Sequence, residues 1–475
     1  MTGRPTSERL RRELARLAGA DAVPDGPAAR PYATDASEAS GIRGRPDAVV
    51  LPATAEDVAR VVAWCYERGV AIVPRGGGSG YAGGAVPVSG GVVVALERLA
   101  RVRSLEPGLW RAEVEAGVTT ATVRRLAREN GLHYPPDPGA AEQSQIGGNV
   151  ATNAGGPHAF KYGVTGAWVT GLEAVVAPGE LVQVGGPFRK DVAGYDLRSL
   201  LVGSEGTLGV ITAAWLRLIP APEVALPVLA LYPDAVGGCA AIARVLESGL
   251  VPATLEYLDA GTLAAAGGSL PGGVPAGAGF AVLAEADGDR AGAEALREEL
   301  REALGDGAVA VRELAGRGEV EALWRWRGGV SLAVAARRGG KLSEDVAVPL
   351  ERLGEAIAGT VAIGRRHDLE AMSWGHAGDG NLHSTFLVDP ASEAELERAA
   401  AAAEELFGLA VGLGGTVSGE HGLGWLKRGQ LARQWSPPAL RLHAEIKRAF
   451  DPKGLLNPGK KAGRVARVEG GAGEG

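Results

Sequence analysis

The sequence predicts an α+β protein with two main folded domains. Its 475 residues exceed the length of one ordinary domain, and 46% hydrophobic against 22% charged residues is typical of a chain that folds around a core. Short apolar runs with strand character alternate with helical patterns along the chain. The segment Ile219–Pro227 carries three prolines and predicts a linker between the domains.

In the N-terminal part, helices and strands alternate in a readable order. Ser7–Leu17 predicts a first helix, and Thr54 followed by Asp57 predicts a capping box for a second helix that ends at Gly69. Tyr134–Gly166 has little periodicity, which is typical of a functional loop. The remaining predicted elements are strands within 71–74, 90–99, 110–117, 171–176 and 209–218, and a helix over 119–131.

In the C-terminal part, the pattern predicts a second α+β domain with a partly antiparallel sheet. Ala260–Gly279 is rich in Gly, Ala and Pro, and we expect a flexible surface loop there. The chain after Lys461 predicts a disordered tail. The predicted elements are strands at Val228–Tyr232, Phe280–Ala286 and Val309–Arg312, and helices at Asp234–Ser248, Asp289–Leu304 and 391–415.

Charge and cysteine content narrow the possible partners and the compartment. The net charge of −7 argues against a nucleic-acid partner. Cys65 and Cys239 offer neither a disulfide framework nor a CxxC motif, which favours a reducing cytoplasm. The N-terminus lacks the apolar core of a signal peptide, and no uncharged apolar run of 18 residues predicts a membrane span.

A glycine-rich loop at Pro74–Gly84 contains the spacing GxGxxG at residues 78, 80 and 83. A Rossmann fingerprint requires that such a loop opens a helix, and Gly84, Pro87, Gly90 and Gly91 exclude one here. The alternatives are a nest of backbone N–H groups for a pyrophosphate or a glycine-rich hairpin without a ligand. Two further glycine-rich stretches, 143–156 and 191–212, favour an extended cofactor across this domain.

His376 and His383 flank a glycine-rich turn, Gly378-Asp379-Gly380. Seven residues apart, they would point to opposite faces of a regular strand, or lie about 10 Å apart along a helix. Both rings can reach one metal ion only if the backbone folds back at these glycines. The residues alone leave open whether the histidines bind a metal or sit in a tight turn.

The chain resembles the FAD-dependent D-2-hydroxy-acid dehydrogenases, which include D-lactate, glycolate and D-2-hydroxyglutarate enzymes, of the vanillyl-alcohol-oxidase/p-cresol-methylhydroxylase type. The resemblance spans roughly Pro46 to Lys460. It rests on PRGGGSGYAGG, IGGNVATNAGG with KYG, GYDL, GSEGTLG, HAGDGNLH, SGEHGLG and DPKGLLNPGK, in the expected order.

The resemblance implies a two-lobed FAD-binding domain of the p-cresol-methylhydroxylase (PCMH) type over 46–220. It also implies an α+β substrate domain with an antiparallel sheet over 221–420 and a C-terminal segment, 421–461, that packs on the FAD domain and returns to the flavin. The termini would be a helical segment, 1–45, and a disordered tail, 462–475.

The resemblance also assigns cofactor residues. No histidine lies in Pro74–Gly84, so we expect non-covalent FAD. Ser79 stands where the family usually has Thr, and Gln145 stands where a Thr is common. The implied FAD contacts are Arg75, Gly76, Gly77, Gly78, Ser79, Gly80, Gly83, Gly84, Pro136, Asp137, Gly147, Gly148, Asn149, Thr152, Ala154, Gly155, Glu205, Gly206, Gly209, Val210, Ile211 and Asn457.

For the reaction, the resemblance implies that His376, His383 and Glu420 bind a divalent metal, Zn²⁺ or Mn²⁺. His421 is the candidate general base; its alternative is a purely structural role. Arg327 is the first candidate to hold the substrate carboxylate, and Lys341 is the second. The implied activity is oxidation of a D-2-hydroxy acid to the 2-oxo acid, with hydride transfer to FAD N5.

Several alternatives and partners accompany this activity. The protein could be a metal-free FAD oxidase that uses O₂, or a non-catalytic FAD subunit of a glycolate dehydrogenase complex. Because the chain lacks iron–sulfur cysteines, we expect a separate acceptor: a quinone, a cytochrome, an electron-transfer flavoprotein or an iron–sulfur subunit. The resemblance leaves open a homodimer and a cytoplasmic protein that associates with a membrane surface.

Overall fold

The computed structural model describes residues 7–461. The fold is mixed α and β, as the sequence predicts, and contains four sheets within this range. The tail predicted to be disordered, 462–475, lies outside the described residues. Between residues 7 and 461, no helix combines the length and hydropathy that crossing a bilayer requires.

The N-terminal part holds three of the sheets. A three-stranded parallel sheet has the order β1-β3-β2, a five-stranded antiparallel sheet has the order β4-β5-β9-β7-β8, and β6 pairs with β10. The elements are α1 (Ser7–Ala18), β1 (Ala48–Val50), α2 (Ala55–Glu67), β2 (Ile72–Arg75), β3 (Val92–Ala95), β4 (Val102–Glu106), β5 (Arg111–Glu115), α3 (Thr120–Glu129), β6 (Leu132–His133), α4 (Ile146–Thr152), α5 (Ala159–Tyr162), β7 (Val169–Val176), β8 (Glu180–Gly185), α6 (Leu197–Leu201), β9 (Val210–Arg217) and β10 (Ile219–Pro220).

The C-terminal part is built on one seven-stranded antiparallel sheet of order β14-β11-β13-β12-β16-β17-β15. Its elements are β11 (Val224–Tyr232), α7 (Ala235–Glu247), β12 (Thr254–Leu258), α8 (Ala260–Ala266), β13 (Phe280–Gly288), α9 (Arg290–Gly305), β14 (Ala310–Glu313), α10 (Arg317–Ala336), β15 (Gly340–Ala347), α11 (Leu353–Arg366), β16 (Ala371–His376), β17 (Asn381–Val388), α12 (Glu393–Gly412), α13 (Leu431–Gln434) and α14 (Pro437–Phe450).

Both faces of the seven-stranded sheet are covered. In β11, Val228 and Ala230 face the core formed with α7, α9, α11 and α12, whereas Leu229 and Leu231 face the core formed with α8 and α10. This alternation follows from the two-residue period of a strand. Because helices lie on both sides, β11 is apolar along its length and reads as a continuous hydrophobic run.

The chain after α14 returns to the N-terminal part. Leu456 forms a parallel bridge with Ile72 on β2, and the main-chain bonds run from Ile72 N to Leu455 O (2.8 Å) and from Asn457 N to Ile72 O (2.7 Å). The returning segment thus extends the three-stranded sheet. The boundary between the two main domains is a separate matter. The chain leaves β10 at Pro220 and enters the seven-stranded sheet at Val224. We propose that the FAD-binding domain covers 46–220 and that the substrate domain covers 221–420.

The expectation of a flexible loop over Ala260–Gly279 is wrong at its start. Asp259 caps α8 by accepting a hydrogen bond from the backbone N–H of Thr262 (2.8 Å). Leu263, Ala266 and Leu270 are buried against the sheet. The composition of the stretch suggested flexibility because the residue that signals the start of the helix, Asp259, lies one position before it.

The expected linker, Ile219–Pro227, is also mostly structured. Its first two residues form β10, and its last four residues begin β11. Pro227 is tolerated because β14 pairs with β11 only from Val228 onward. The carbonyl of Pro227 accepts a hydrogen bond from Leu314 N (3.1 Å), just after the end of β14. The N–H that proline lacks would point to the same side, where β14 has already ended.

The aperiodic stretch Tyr134–Gly166 contains two short helices, α4 and α5, that the pattern did not predict. Both are shorter than two full turns, too short to show a helical period. Strands β4 and β8 were missed as well. The capping box of α2 is confirmed, since Thr54 accepts from Asp57 N (3.1 Å) and Asp57 accepts from Thr54 N (3.1 Å).

His158 links the two parts of the molecule. Its Nδ1 lies 2.5 Å from Asp137, and its Nε2 lies 3.2 Å from Glu285 on β13. Burial alone would lower the pKa of His158, but the two carboxylates outweigh burial and raise it to about 10. A positively charged imidazole therefore bridges a carboxylate from each part.

We predict that His158→Asn destabilises the protein by about 3 kcal/mol near pH 6, because two buried carboxylates lose the charge between them. Folding raises the pKa of His158 from 6.5 to about 10, so the charged ring stabilises the folded protein. This stabilisation is complete below pH 6.5 and is lost as the pH rises through about 10. The difference between the two proteins should therefore shrink by pH 9.5. Urea unfolding at both pH values measures it.

The matched control is His367→Asn, because His367 pairs with Glu405 at 2.9 Å on the surface. An exposed pair contributes little, so we expect a change below about 0.5 kcal/mol. Equal destabilisation by His158→Asn at both pH values would contradict the charged bridge.

Candidate active site

A cleft of about 490 Å³ between the two parts gathers most of the residues predicted to act. This size is typical of small-molecule sites. The glycine loop and α4 line one side, and α10 with β15, β16 and β17 lines the other. The predicted residues that line it are Arg75, Gly76, Gly77, Gly78, Ser79, Gly80, Gly84, Gly147, Gly148, Asn149, Thr152, Ala154, Gly155, Glu205, Gly206, Gly209, Ile211, Arg327, Lys341, His376, His383, Glu420 and His421.

The other predicted cofactor residues are not part of the cleft wall: Gly83, Pro136, Asp137, Val210 and Asn457. Asp137 bonds to His158 instead, and Val210 is buried in the core beneath the three-stranded sheet. Asn457 donates to the carbonyls of Gly84 (3.0 Å) and Glu205 (2.7 Å). Asn457 therefore holds the backbone of two residues that line the cleft without lining it itself.

The glycine loop fits an anionic group. The backbone N–H groups of residues 76–80 donate no hydrogen bond to any residue between 7 and 461. A Cβ at Gly77 would lie 1.9 Å from the carbonyl oxygen of Gln143, whereas a Cβ at Gly80 would meet nothing within 4 Å. The loop is thus packed tightly at one end and open at the other, as a nest for a bound anion requires.

Gln145 adds an unsatisfied acceptor to the same wall. Its Oε1 is buried and has no hydrogen-bond partner among the described residues. Buried polar atoms are usually satisfied, so this oxygen is available to a ligand N–H or O–H. Together with the open N–H groups, it fits a flavin with its diphosphate.

Glu205 lines the cleft, but its carboxylate is already used. Its two oxygens accept from the backbone N–H groups of Leu423 (2.9 Å) and Gly424 (2.6 Å). These bonds tie the loop that carries Glu420 to the N-terminal part.

His376 and His383 face each other across a β-hairpin. β16 ends at His376, Gly380 takes a left-handed φ of 64°, and β17 starts at Asn381. The ring centroids of the two histidines are 5.2 Å apart. The backbone folds back at Gly378-Asp379-Gly380, as convergence of the two rings requires.

Glu420 completes a three-residue cluster. Its Oε1 lies 3.5 Å from His376 Nε2 and 3.6 Å from His383 Nε2, and the three candidate ligand atoms all lie within 4.8 Å of one another. Asp345 positions this loop, because one of its oxygens accepts the N–H groups of both Glu420 and His421 at 2.9 Å.

Glu256, which the sequence analysis did not single out, holds His376 of this cluster in position. It is fully buried on β12 and bonds to Nδ1 of His376 and to Arg327 Nε (2.7 Å). Burial would raise the pKa of Glu256, but Arg327 and His376 hold it below its usual value. With Nδ1 engaged, Nε2 of His376 points toward Glu420.

The cluster fits a divalent cation. Burial lowers the pKa of His383 to about 3, so its ring is neutral and can offer a nitrogen lone pair to a metal ion. Burial alone would lower the pKa of His376, yet Glu256 and Glu420 raise it well above its usual value. Carboxylates that stabilise a proton there would also stabilise a metal ion, and the carboxylate behind His376 would orient the ring.

His421 lies beside the cluster. Its ring stacks on His383, with centroids 5.4 Å apart, and contacts Tyr81 at 4.9 Å. Between residues 7 and 461, its ring nitrogens make no hydrogen bond, and the Nε2–Glu420 distance is 3.9 Å. It is therefore available to exchange a proton with a ligand.

Lys341 enters the cleft from β15. Its Nζ donates to Ser331 Oγ (2.6 Å) and lies 4.8 Å from the ring centroid of Trp374. No described carboxylate lies within 4 Å of this nitrogen. Burial lowers the pKa of Lys341 to about 8.

These features agree with the family comparison. The chain matches the FAD binding domain family over residues 46–185 and the C-terminal domain of FAD linked oxidases over 221–461. The chain belongs to the FAD-linked oxidases. It is an FAD-dependent oxidoreductase.

Curated relatives resemble this FAD-linked oxidase along almost its whole length. It is 36% identical to glycolate oxidase subunit GlcD of Bacillus subtilis (strain 168), covering 96% of this chain and 97% of that protein. It is 33% identical to D-lactate dehydrogenase of Anaerostipes hadrus (88% and 90% covered). It is 34% identical to D-2-hydroxyglutarate dehydrogenase of Xanthomonas citri pv. viticola (87% and 89% covered).

Solved structures share the fold of this FAD-linked oxidase. p-Cresol methylhydroxylase with substrate bound superposes with a TM-score of 0.80 at 18% identity, covering 96% of each chain. 4-Ethylphenol oxidase from Gulosibacter chungangensis gives 0.78 at 21% identity, covering 97% and 98%. At this identity, the likeness shows the fold alone.

We predict that Gly80→Val weakens FAD binding at least tenfold without changing the stability of the apoprotein. The new side chain meets no protein atom near Cβ but enters the space beside the open N–H groups. Titration of FAD into apoprotein, followed by flavin fluorescence, measures the affinity.

Gly108→Val is the matched control, because Gly108 also has nothing within 4 Å of a Cβ and lies between β4 and β5, outside the cleft. We expect this variant to bind FAD normally. Identical affinities for the two variants would mean that the open space at Gly80 is not part of the cofactor site.

Proposed function

We propose that the protein oxidises a D-2-hydroxy acid to the 2-oxo acid and passes the electrons to non-covalently bound FAD. One observation carries this proposal. Within residues 7–461, a lysine without a carboxylate partner, a cluster of metal-type ligands and an imidazole without a hydrogen bond line one cleft together with the glycine loop that fits a flavin. The relatives named for glycolate, D-lactate and D-2-hydroxyglutarate support the same chemistry.

FAD would lie along the glycine loop and α4. The N–H groups of residues 76–80 would hold the pyrophosphate, and Gln145 with the small residues Gly147 and Gly148 would contact the flavin. FAD supplies the acceptor for the hydride that leaves the substrate carbon.

We include a divalent metal, Zn²⁺ or Mn²⁺, on His376, His383 and Glu420. When bound, such an ion lowers the pKa of a coordinated hydroxyl. Glu256 would hold His376 in the required tautomer, and Asp345 would hold the loop that carries Glu420.

Side chains of the cleft would bind the substrate and accept its hydroxyl proton. Lys341 would bind the substrate carboxylate, with Arg327 beside it on the cleft wall. His421 would take the hydroxyl proton, because its ring nitrogens make no hydrogen bond to the described residues. As the C2 hydrogen leaves with its electron pair, the C–O bond becomes a carbonyl. Substrate orientation by these groups makes the transfer effectively unimolecular.

Reduced flavin must then be reoxidised. Since Cys65 and Cys239 form no iron–sulfur motif, we propose a separate acceptor of the quinone, cytochrome, electron-transfer flavoprotein or iron–sulfur subunit type. We also propose a cytoplasmic location, because Cys65 and Cys239 are both free and a chain without disulfides suits a reducing compartment.

The test is anaerobic flavin bleaching with a panel of D- and L-2-hydroxy acids, before and after treatment with EDTA. We expect bleaching by D-acids and its loss after metal removal. If no acid bleaches the flavin, the proposed function is wrong; preference for L-acids would overturn the stereochemistry.

The metal has its own readout. His376→Ala should lose stoichiometric metal, measured by elemental analysis, and at least 100-fold of the bleaching rate, while the FAD spectrum is kept. His443→Ala is the control, because His443 packs on Trp435 away from the cleft. Full metal content in His376→Ala would exclude His376 as a ligand.

Lys341 predicts a pH dependence. Deprotonation above its pKa of about 8 removes the cation, so binding of a 2-oxo acid should weaken as pH rises from 7 to 9.5. Arg327, His376 and His383 also face this space, so the comparison must isolate Lys341. In Lys341→Arg, the charge persists to higher pH, and the weakening should disappear over this range. Unchanged profiles in both proteins would contradict a role for Lys341.

A further inference from the structure

A second cavity, of about 370 Å³, lies at one end of the five-stranded sheet, outside the cleft. The turn between β4 and β5, the chain after β8 and residues on β7 and β9 form its wall. Within residues 7–461, the two spaces share no lining residue, so the groups assigned to FAD, metal and substrate do not line this one. We call it the sheet-end cavity, and its large side chains are Leu109, Trp110, Arg111, Phe188, Arg189 and Arg217.

Arg217, the last residue of β9, carries donors that have no acceptor. One face of its guanidinium covers the ring of Trp168, with Cζ 4.4 Å from the ring centroid. Its Nε is buried and makes no hydrogen bond to any described residue. Buried donors are nearly always satisfied, so this one points to an acceptor that the described part of the chain does not supply.

Arg189, in the chain after β8, is available in the same way. Among the described residues, its guanidinium contacts only the ring of Trp110, with Cζ 5.4 Å from the ring centroid. The acidic residue nearest in sequence is Asp191, which accepts from Ala193 N (3.0 Å) instead. Arg189 therefore keeps its donors for a ligand.

Arg111 shows what an occupied guanidinium looks like in this wall. Its Nε and Nη2 bond to the two carboxylate oxygens of Glu106 at 3.0 and 2.8 Å. Its Nη1 donates to the carbonyl of Pro187 (2.7 Å). Arg111 thus joins the two sides of the cavity wall and leaves anion binding to the other two arginines.

Two aromatic side chains remain at the surface beside these arginines. Phe188 is 46% exposed and Trp110 is 39% exposed. Trp110 also has a left-handed φ of 54°, a conformation that glycine or asparagine adopts at lower cost. Its carbonyl is held there by Leu218 N (2.7 Å). Strained residues concentrate at ligand sites, so the exposed ring is consistent with a binding role.

We propose that the sheet-end cavity binds a small molecule in which a planar aromatic ring carries one carboxylate or phosphate. The ring would stack on Trp110 and Phe188, and the anion would accept hydrogen bonds from Arg189 and Arg217. Guanidinium groups bind either anion through paired N–H donors. A neutral ring would leave these donors unsatisfied, and an aliphatic acid would not match the flat aromatic walls. The cavity lies outside the cleft, so failure of this inference would leave the proposed function unchanged.

Isothermal titration calorimetry tests the binding. The protein is loaded with FAD first, so that an adenine nucleotide cannot enter the glycine loop. AMP is compared with adenosine and inorganic phosphate, and benzoate is compared with benzamide and hexanoate. We expect a Kd below about 1 mM for AMP or benzoate, and about tenfold weaker binding or less for the molecules that lack the ring or the charge. The series that binds identifies the anion.

Arg217→Gln and Arg189→Gln locate the site. Each variant removes one charged donor, so we expect the affinity for the bound molecule to fall about tenfold or more, with FAD content unchanged. The side chain of Arg189 is exposed and its guanidinium contacts only a ring among the described residues, so Arg189→Gln decides the matter even if Arg217→Gln proves unstable.

Arg68→Gln is the matched control. Arg68 also lies over a tryptophan, with Cζ 4.5 Å from the Trp64 ring centroid, but its Nη1 is held by Glu67 (2.7 Å) and by Trp64 O (3.3 Å). We expect this variant to bind like the parent protein. The inference is wrong if neither AMP nor benzoate binds, if adenosine or hexanoate binds equally well, or if Arg189→Gln keeps full affinity.

Discussion

The candidate active site depends on one buried carboxylate that two other side chains share. Glu256 sits at the middle of the seven-stranded sheet, where His376 on the neighbouring strand and Arg327 on α10 both reach it. A buried carboxylate is tolerated only when charged or strongly polar donors satisfy it. The arrangement therefore fixes the His376 tautomer and the Arg327 position together, and loss of any member leaves an unpaired group inside the protein.

The two sides of the cleft solve different physical problems. On the side of the glycine loop, the backbone itself forms the surface, so small residues and N–H groups without a partner among the described residues matter more than side chains. On the other side, Lys341, His376 and His383 come from the adjacent strands β15, β16 and β17, whose hydrogen bonds hold their relative positions. A flexible cofactor can adapt to a loop, whereas the groups that touch a reacting carbon gain from a rigid sheet.

Local signals in the sequence predicted much of this structure, and long-range contacts account for what was missed. The capping box at Thr54 and the turn at Gly380 are short-range features that can be read from neighbouring residues. Glu256 carried no signal, because a single acidic residue on an apolar strand looks like an exposed position until its partners 71 and 120 residues away are known. The same contact changes the interpretation of Arg327: the sequence shows a cation, whereas the structure shows that Glu256 already holds it.

The loop that carries Glu420 is anchored from both sides of the cleft. Asp345 holds its backbone from the sheet, and Glu205 holds Leu423 and Gly424 from the N-terminal part. Any ligand that draws the two parts together would also order this loop, so flavin occupancy and ion occupancy would be thermodynamically linked. Such linkage is reciprocal: each ligand would raise the affinity for the other by the same factor. Partial loss of one would then appear experimentally as partial loss of both.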